Sequence, residues 1–393
     1  MRILVLTPTF LPIVGGAELV IYEVYRRLAS SHEVCVLTPE IELDRQVKWA
    51  ADDYLERLNF TVQRFDDRFS LLKLRGHRML RGLIPPFSLS AIKAVASSVK
   101  ELKPEVINSH YAVPTGLAAV VIGKMNDIPV VLTFAGRDVP GPTTPPLWKF
   151  YDRLIAKLAI DVTYISDYCR IAIHGASHKG NGRTIYGGVD LHEFNPQVEG
   201  QSVRRDLGLD DDSLVLFALQ RLSPEKRTDT ILRSMSHILK SYDDITLVIG
   251  GKGSEEKYLR ELATQLGIEG HVLFTGYIPD EKLPQYFAMA DIFVFHSTYE
   301  TFGLVLAQAM AAGKPIVSVK STAIPEVVEN GTNGILVEPL NAEAFAEAVL
   351  ILAADPELRH KMGWNGRERA VQKFDWDQIA SQYETVLTQA THR

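Results

Sequence analysis

What most constrains this chain is a repeated switch of period. Short runs of β-branched and aliphatic residues alternate with amphipathic stretches along nearly the whole sequence. Ile3–Leu6, Glu33–Leu37, Val106–Asn108 and Val130–Thr133 read as strands, and Ala17–Ala29, Leu89–Leu102 and Gly116–Met125 as the helices between them. The strands are continuously apolar rather than alternating, which suits a parallel sheet covered by helices on both faces. After Gly187-Gly188-Val189-Asp190 a polar stretch carrying Pro196 runs to Ser213, and the alternation then restarts. Leu214–Leu219, Ile245–Ile249, Val272–Thr275, Ile292–Phe295 and Ile316–Val319 read as strands, with Gly334–Val337 a weaker candidate. The expected fold class is therefore α/β, with two Rossmann-like, doubly wound domains over residues 1–190 and 191–374. The division is expected near 190–213, and a C-terminal helix at about 375–393 could pack back on the first domain. Ligands of such sheets sit at the carboxyl ends of the strands, which predicts a central cleft faced by both domains.

Composition removes other classes. The chain is 46% hydrophobic and 23% charged, a globular balance that excludes disordered, collagen-like and long coiled-coil proteins. Its net charge of −6 argues against a general nucleic-acid binder. The charge is unevenly divided: residues 1–190 hold 23 Lys and Arg against 19 Asp and Glu, whereas 191–393 hold 19 against 29. Cys35 and Cys169 are the two cysteines, too few for a disulfide framework or a structural zinc site, and a reducing cytoplasm is expected. The apolar run at Ile3–Leu6 ends at Thr7-Pro8, as a buried strand would rather than a signal sequence, and no run approaches the ~18–20 residues of a bilayer span.

Three segments carry candidate chemistry. In His296-Ser-Thr-Tyr-Glu300-Thr-Phe302-Gly303-Leu304-Val305-Leu-Ala-Gln308-Ala-Met-Ala-Ala-Gly313-Lys-Pro315 a strand gives way to a polar turn. A helix then starts near Gly303 and closes at Gly313 and Pro315. Open first-turn N–H groups and the helix dipole favour a phosphate there, and Glu300 just ahead could accept from two neighbouring sugar hydroxyls. A capping acid and a packing glycine are equally open readings. Arg221-Leu-Ser-Pro-Glu-Lys226 follows another strand, and its two cations, five residues apart around a turn, suit a departing diphosphate; a solvated helix start is the other reading. Gly15-Gly16 after the first strand could admit a phosphate or be a ligand-free turn. Gly250-Gly251-Lys252-Gly253 is Gly-rich but lacks the third glycine of a dinucleotide fingerprint. Asp210–Asp212 read as a solvated run, and no metal motif is evident.

These segments, with Ser109-His110-Tyr111, Pro114-Thr-Gly116, Thr133-Phe-Ala-Gly136-Arg137-Asp138, Gly187-Gly-Val-Asp190 with Phe194, and Gly276-Tyr277-Ile278, together resemble the family-four retaining glycosyltransferases of GT-B fold. The resemblance runs from Met1 to about Val349 and implies hexosyl transfer from a nucleoside-diphosphate sugar, without a metal or other cofactor, to a glycan or lipid-linked acceptor in polysaccharide or glycolipid synthesis. It implies Arg221 and Lys226 as the diphosphate clamp and Glu300 as the holder of the donor sugar. Phe302, Gly303, Leu304 and Val305 become a turn offering N–H groups, Tyr277 and Ile278 the grip on the base, and Gly16 part of a loop closing on the diphosphate. His110, Arg137 and Asp138 fall on the acceptor side. Two positions depart from the pattern. Gln308 stands where the family usually has a second glutamate on the ribose hydroxyls, and Ala135 where it usually has a histidine facing the reacting sugar. These departures leave open a nucleotide-sugar-binding subunit of weakened activity; a nucleotide-sugar epimerase is a third reading.

Residues 64–81 contain Arg64, Arg68, Lys73, Arg75, Arg78 and Arg81 interleaved with Phe69, Leu71, Leu72, Leu74, Met79 and Leu80. Such a stretch suits an anionic membrane surface, or else a solvated loop or acceptor-cleft wall, with Leu83-Ile-Pro85-Pro86-Phe87 as a rigid connector. A cytoplasmic protein, peripheral at the inner membrane face if this stretch docks, is the corresponding expectation, with no nucleic-acid partner.

Overall fold

The computed structural model describes residues 1–13, 15–40, 52–67, 88–136, 139, 144, 146–175 and 182–393. They form two compact units, Met1–Gly187 with Trp376–Arg393, and Gly188–Asp375.

In the first unit, β1 (Arg2–Leu6), β2 (Glu33–Pro39), β3 (Thr61–Phe65), β4 (Val106–His110), β5 (Val130–Phe134), β6 (Asp161–Tyr164) and β7 (Arg183–Thr184) make one parallel sheet in the order β3-β2-β1-β4-β5-β6-β7. Helices α1 (Gly16–Leu28), α2 (Asp52–Glu56), α3 (Leu89–Leu102), α4 (Leu117–Met125), α5 (Pro146–Leu158) and α6 (Asp167–His174) connect them. The central strands are buried on both faces, Ile3, Leu4, Val5, Val106, Ile107, Val131 and Leu132 all being inaccessible. Local chemistry sets the helix starts: Ser88 Oγ accepts from the Ala91 N–H at 3.0 Å to open α3, and Ser166 Oγ from the Cys169 N–H at 3.2 Å to open α6.

In the second unit, β8 (Leu214–Leu219), β9 (Ile245–Gly250), β10 (Val272–Gly276), β11 (Ile292–Val294), β12 (Ile316–Val319) and β13 (Gly334–Val337) form a parallel sheet in the order β10-β9-β8-β11-β12-β13. Its helices are α7 (Gln201–Asp206), α8 (Thr228–Ile238), α9 (Glu256–Gln265), α10 (Leu283–Met289), α11 (Leu304–Ala311), α12 (Ile324–Val327), α13 (Ala342–Ala354) and α14 (Pro356–Lys373). A cluster of Phe217, Phe287 and Phe293, with Phe287 5.2 Å from each of the other two ring centroids, fills the core on one side of this sheet. The chain then returns to the first unit through α15 (Trp376–Thr391), which buries Trp376, Ile379, Tyr383, Val386 and Leu387 and packs on α1, β4 and β5.

Both sheets are doubly wound. The order of strand addition reverses between β1 and β4 in one and between β8 and β11 in the other, and the carboxyl ends at such a reversal leave a crevice for a ligand.

The polar stretch before Ser213 folds with the second unit. Arg204 on α7 is 7% exposed; it pairs with Asp291 at 2.8 Å and donates to the carbonyls of Met289, Asp211 and Ser213. One buried guanidinium with carbonyl partners organises a segment whose composition looks like a linker. The division lies at Gly187–Gly188, before that stretch.

Candidate functional site

The turns leaving β8 and β11, the two strands beside the reversal in the second unit, are tied together. After β8 the chain makes a 3-10 turn at Pro224–Lys226, then Arg227 takes a left-handed conformation at φ 44° and α8 begins. Pro224 suits this start because its ring fixes φ and no N–H is lost from the turn. Gln220 Nε2 donates to the Lys226 carbonyl at 3.2 Å and to Thr228 Oγ1 at 2.7 Å, holding the turn from beneath. From the β11 side, the Thr298 N–H and hydroxyl both donate to the Glu225 carbonyl, at 2.9 and 3.0 Å.

This clamp brings Lys226 Nζ onto Glu300 Oε1 in a direct ion pair whose side chains are 20% and 12% exposed. Lys226 also stands 5.5 Å from the centroid of the Phe295 ring. Glu300 is fixed through its backbone, its N–H donating to Thr322 Oγ1 at 2.8 Å and its carbonyl accepting from the Ala323 N–H at 3.3 Å. Thr322 adopts φ 46°, unusual for a β-branched residue. Arg221 precedes the same turn and is exposed, its carbonyl accepting from the Ser223 N–H at 2.9 Å. Burial pushes the Glu225 carboxyl up, but the Ser223 hydroxyl, the backbone and the nearby Lys226 and Arg221 bring it below its ordinary value. The site thus brings exposed Arg221, Lys226 paired with Glu300, and the Glu225 carboxylate together within two adjoining turns, a set that can bind a phosphorylated ligand carrying hydroxyl groups.

Around this pair, Gly303 caps α11 at φ 91°, with Leu304 and Val305 half-buried in the first turn. The Phe302 side chain is core, 5.3 Å from the Phe374 ring, so it can serve a ligand only through its backbone. Gln308 is half-buried on α11, one turn further on. Tyr277 is half-exposed after β10; Ile278 is buried, and a side chain at Gly250 would meet its Cδ1 at 2.5 Å. The Gly250–Gly253 loop explains its own composition: added Cβ atoms at Gly251 and Gly253 would lie 2.0 Å from the carbonyl oxygens of Gln220 and Leu222. Close approach to the Arg221 turn, not phosphate binding, requires these glycines. His296, at the end of β11, accepts the Leu340 N–H on Nε2 at 3.1 Å, and burial, with Arg227 adding, holds its pKa down to about 4.

In the first unit Gly16 opens α1 directly after Gly15, whose backbone is extended. Glu18 in that first turn is 8% exposed, accepts from Thr9 Oγ1 at 2.5 Å and would clash with a Cβ at Gly15. The sequence signal for it is a glutamate three residues into a helix start. His110 has no accessible surface. It lies 3.2 Å from the Tyr25 hydroxyl and stacks on Tyr383 at 6.5 Å; burial drives its pKa down to about 3. In this arrangement it is an interior histidine. Ala135 is buried beyond β5, and the Tyr111 hydroxyl occupies the place of a Gly136 side chain, 2.7 Å from its Cβ position. Arg137, Asp138, residues 68–81 of the basic stretch and the connector at 83–87 lie outside the described residues.

The sequence pointed to Arg221, Lys226 and Glu300, and the structure brings the last two into contact. Gln220, Thr298 and Thr322, which hold them, were not foreseen. Thr298 sits inside the quoted segment; Gln220 and Thr322 carry no spacing signal.

Comparison with known proteins covers both units. Residues 14–193 match the family described as Glycosyltransferase Family 4, and residues 201–369 that described as Glycosyl transferases group 1. An uncharacterized glycosyltransferase of Methanocaldococcus jannaschii is 32% identical over 203 residues, 51% of this chain and about half (52%) of that protein's length. The GDP-mannose-dependent alpha-(1-6)-phosphatidylinositol monomannoside mannosyltransferase of Mycolicibacterium smegmatis is 29% identical over 387 residues, covering 95% of this chain and 94% of that one. Among solved structures, Anabaena HepE in complex with UDP superposes with a TM-score of 0.81 at 22% identity, over 99% of this chain and 100% of that chain, which shows a shared GT-B fold.

Proposed function

The chain belongs to the family 4 glycosyltransferases, and from that premise we propose that it is a retaining, metal-independent hexosyltransferase using a nucleoside-diphosphate sugar. The observation that carries this reading is the Lys226–Glu300 contact beside exposed Arg221, on the turns flanking the strand-order reversal. A carboxylate accepts from sugar hydroxyls and an ammonium and a guanidinium bind phosphate oxygens, so the three groups suit the two ends of a glycosyl diphosphate.

In the proposed step the bond between the anomeric carbon and the diphosphate oxygen breaks, and the acceptor hydroxyl oxygen bonds to that carbon on the same face. The acceptor proton passes to the departing diphosphate oxygen. No enzyme nucleophile is required, and Ala135 does not block the route. Arg221, Lys226 and the open N–H groups at the start of α11 stabilise the charge that develops on the leaving group. Glu300 holds the sugar, Gln308 the ribose, and Tyr277 and Ile278 border the base. A glycan or lipid-linked acceptor fits the mannosyltransferase relative, which acts on a phosphatidylinositol mannoside by name. That relative uses GDP-mannose whereas the structural neighbour holds UDP, so the base is left to experiment.

The test is incubation with a panel of UDP-, GDP- and ADP-sugars, with and without glycan and polyprenyl-phosphate-linked acceptors, following release of nucleoside diphosphate. Slow hydrolysis of one donor, accelerated by an acceptor and giving a product with the donor's anomeric configuration, is expected. Binding without turnover under every combination would instead favour the binding-subunit reading, and donor isomerisation without an acceptor the epimerase.

A further inference from the structure

The Lys226–Glu300 pair is built unequally on its two sides. Among the described residues the Glu300 carboxylate has Lys226 as its one hydrogen-bonding and ion-pairing partner, and its side chain is 12% exposed. The ammonium has more company. It stands 5.5 Å from the centroid of the Phe295 ring and acts electrostatically on the neighbouring Glu225 carboxyl. The backbones on both sides are fixed. The Glu225 carbonyl accepts from Thr298, and Glu300 is tied to Thr322 Oγ1 at 2.8 Å and to the Ala323 N–H at 3.3 Å. Parting the pair therefore falls to the two side chains alone. It leaves the ammonium with an aromatic face and a second carboxylate nearby. It leaves the Glu300 carboxylate sheltered from water and without a partner among the described residues, the unfavourable half of a broken ion pair.

We infer that this pair makes the site discriminate between an intact nucleoside-diphosphate sugar and the nucleoside diphosphate that it becomes, resting on the reading of Lys226 as a diphosphate ligand and Glu300 as the holder of the sugar. A diphosphate oxygen draws the ammonium away from Glu300. When a sugar is attached, its hydroxyls donate to the carboxylate as the ammonium leaves, so one ligand satisfies both halves of the pair. A nucleoside diphosphate satisfies the ammonium alone and strands the carboxylate. That stranding weakens the binding of the product and spares the donor. Once the glycosyl group has moved to the acceptor oxygen and the diphosphate has taken the acceptor proton, Glu300 loses its hydroxyl donors. It then recaptures Lys226 and loosens the diphosphate. The same carboxylate holds one end of the substrate and helps to expel the other.

Calorimetry on the full-length protein, with whichever of UDP, GDP and ADP it binds most tightly, measures the affinity of that diphosphate and of its sugar nucleotide. In Glu300→Gln the amide keeps the length of the side chain and an acceptor for hydroxyls, but Lys226 no longer has a competing charge. The diphosphate should bind about five- to tenfold more tightly than to the parent chain and the sugar nucleotide no more tightly, so the donor-to-product affinity ratio falls about tenfold. Glu225→Gln controls for charge alone. Glu225 is exposed, accepts from the Ser223 hydroxyl at 2.7 Å and lies near the same ammonium, so its loss should tighten both ligands alike and leave the ratio unchanged. An unchanged ratio in Glu300→Gln, weaker diphosphate binding by that variant, or an equal shift in Glu225→Gln overturns the inference while the proposed function stands. A parent chain that binds no nucleoside diphosphate and no sugar nucleotide overturns both. If Glu300→Gln fails to fold, Glu300→Asp, whose carboxylate is withdrawn from Lys226 by one methylene, is read by the same ratio and should shift it in the same direction.

Discussion

Lys226 and Glu300 share one ion pair and are assigned to different parts of one ligand. The ammonium is satisfied by the carboxylate, so neither side chain is a lone charge in a half-buried place. Lys226→Ala is expected to lower turnover by about 10²–10³-fold, the scale of losing one donor to a developing oxyanion. Donor affinity should change far less, and steady-state kinetics with the identified donor separate the two. Gln308→Glu tests the neighbouring assignment: a charge-assisted bond to ribose should tighten donor binding by about 1 kcal/mol, measurable by calorimetry, and unchanged affinity counts against Gln308 as a ribose contact. Two interior histidines set a third expectation. His110 and His296 are held down to about 3 and 4 from an ordinary 6.5, chiefly by burial, and so stay neutral in the folded chain. Below pH 6.5 the unfolded chain takes up protons that the folded chain refuses. Their contribution to stability is therefore complete above 6.5 and is lost as pH falls toward 4 and then 3. Urea midpoints should fall over that interval, and His110→Phe should make the fall shallower.

At the scale of elements, the glycine loop after β9 is more demanding than its motif suggests. Gly251 combines φ 114° with a 2.0 Å approach of its Cβ position to a backbone oxygen, whereas Gly267 has φ 67° and open space around it. Gly251→Ala should destabilise the second unit by about 2–4 kcal/mol and Gly267→Ala by about 1 kcal/mol, compared by chemical denaturation. Strands such as Leu214–Leu219 and Ile316–Val319 were legible to the residue because continuous aliphatic runs record burial on both faces. β3, β6 and β7 were not. Thr61–Phe65 lies at a sheet edge and is half-exposed, and Asp161 opens β6 with a buried carboxylate that Arg183 of β7 offsets at 3.1 Å. In the same way Lys226 and Glu300 were visible as charges beside turns. Gln220 and Thr322 were hidden, since a positioning residue is defined by what it reaches across space.

The whole molecule is two doubly wound units, the first built from two separated pieces of chain. Residues 376–391 supply the first unit with Tyr383, fully buried, hydrogen-bonded to Thr133 and Thr163, and stacked on His110. Arg27 is joined to Asp377 at 2.6 Å and His32 to Glu384 at 2.8 Å. Trp376, Ile379, Tyr383, Val386 and Leu387 each contribute about 1.5–3 kcal/mol of burial, a sum comparable with the net stability of a domain. A chain ending at Asp375 should therefore lose the calorimetric transition of the first unit while the second still unfolds cooperatively and still binds nucleotide.

This return of α15 has a consequence for biosynthesis. The second unit is contiguous and can close as soon as it clears the ribosome. The first, although translated earlier, must wait through the making of the whole second unit for the helix that fills its core. Its β4–β5 region, with His110 and Thr133 still uncovered by Tyr383, is then the part of the nascent chain most in need of a chaperone. The half that emerges first is the half that is finished last.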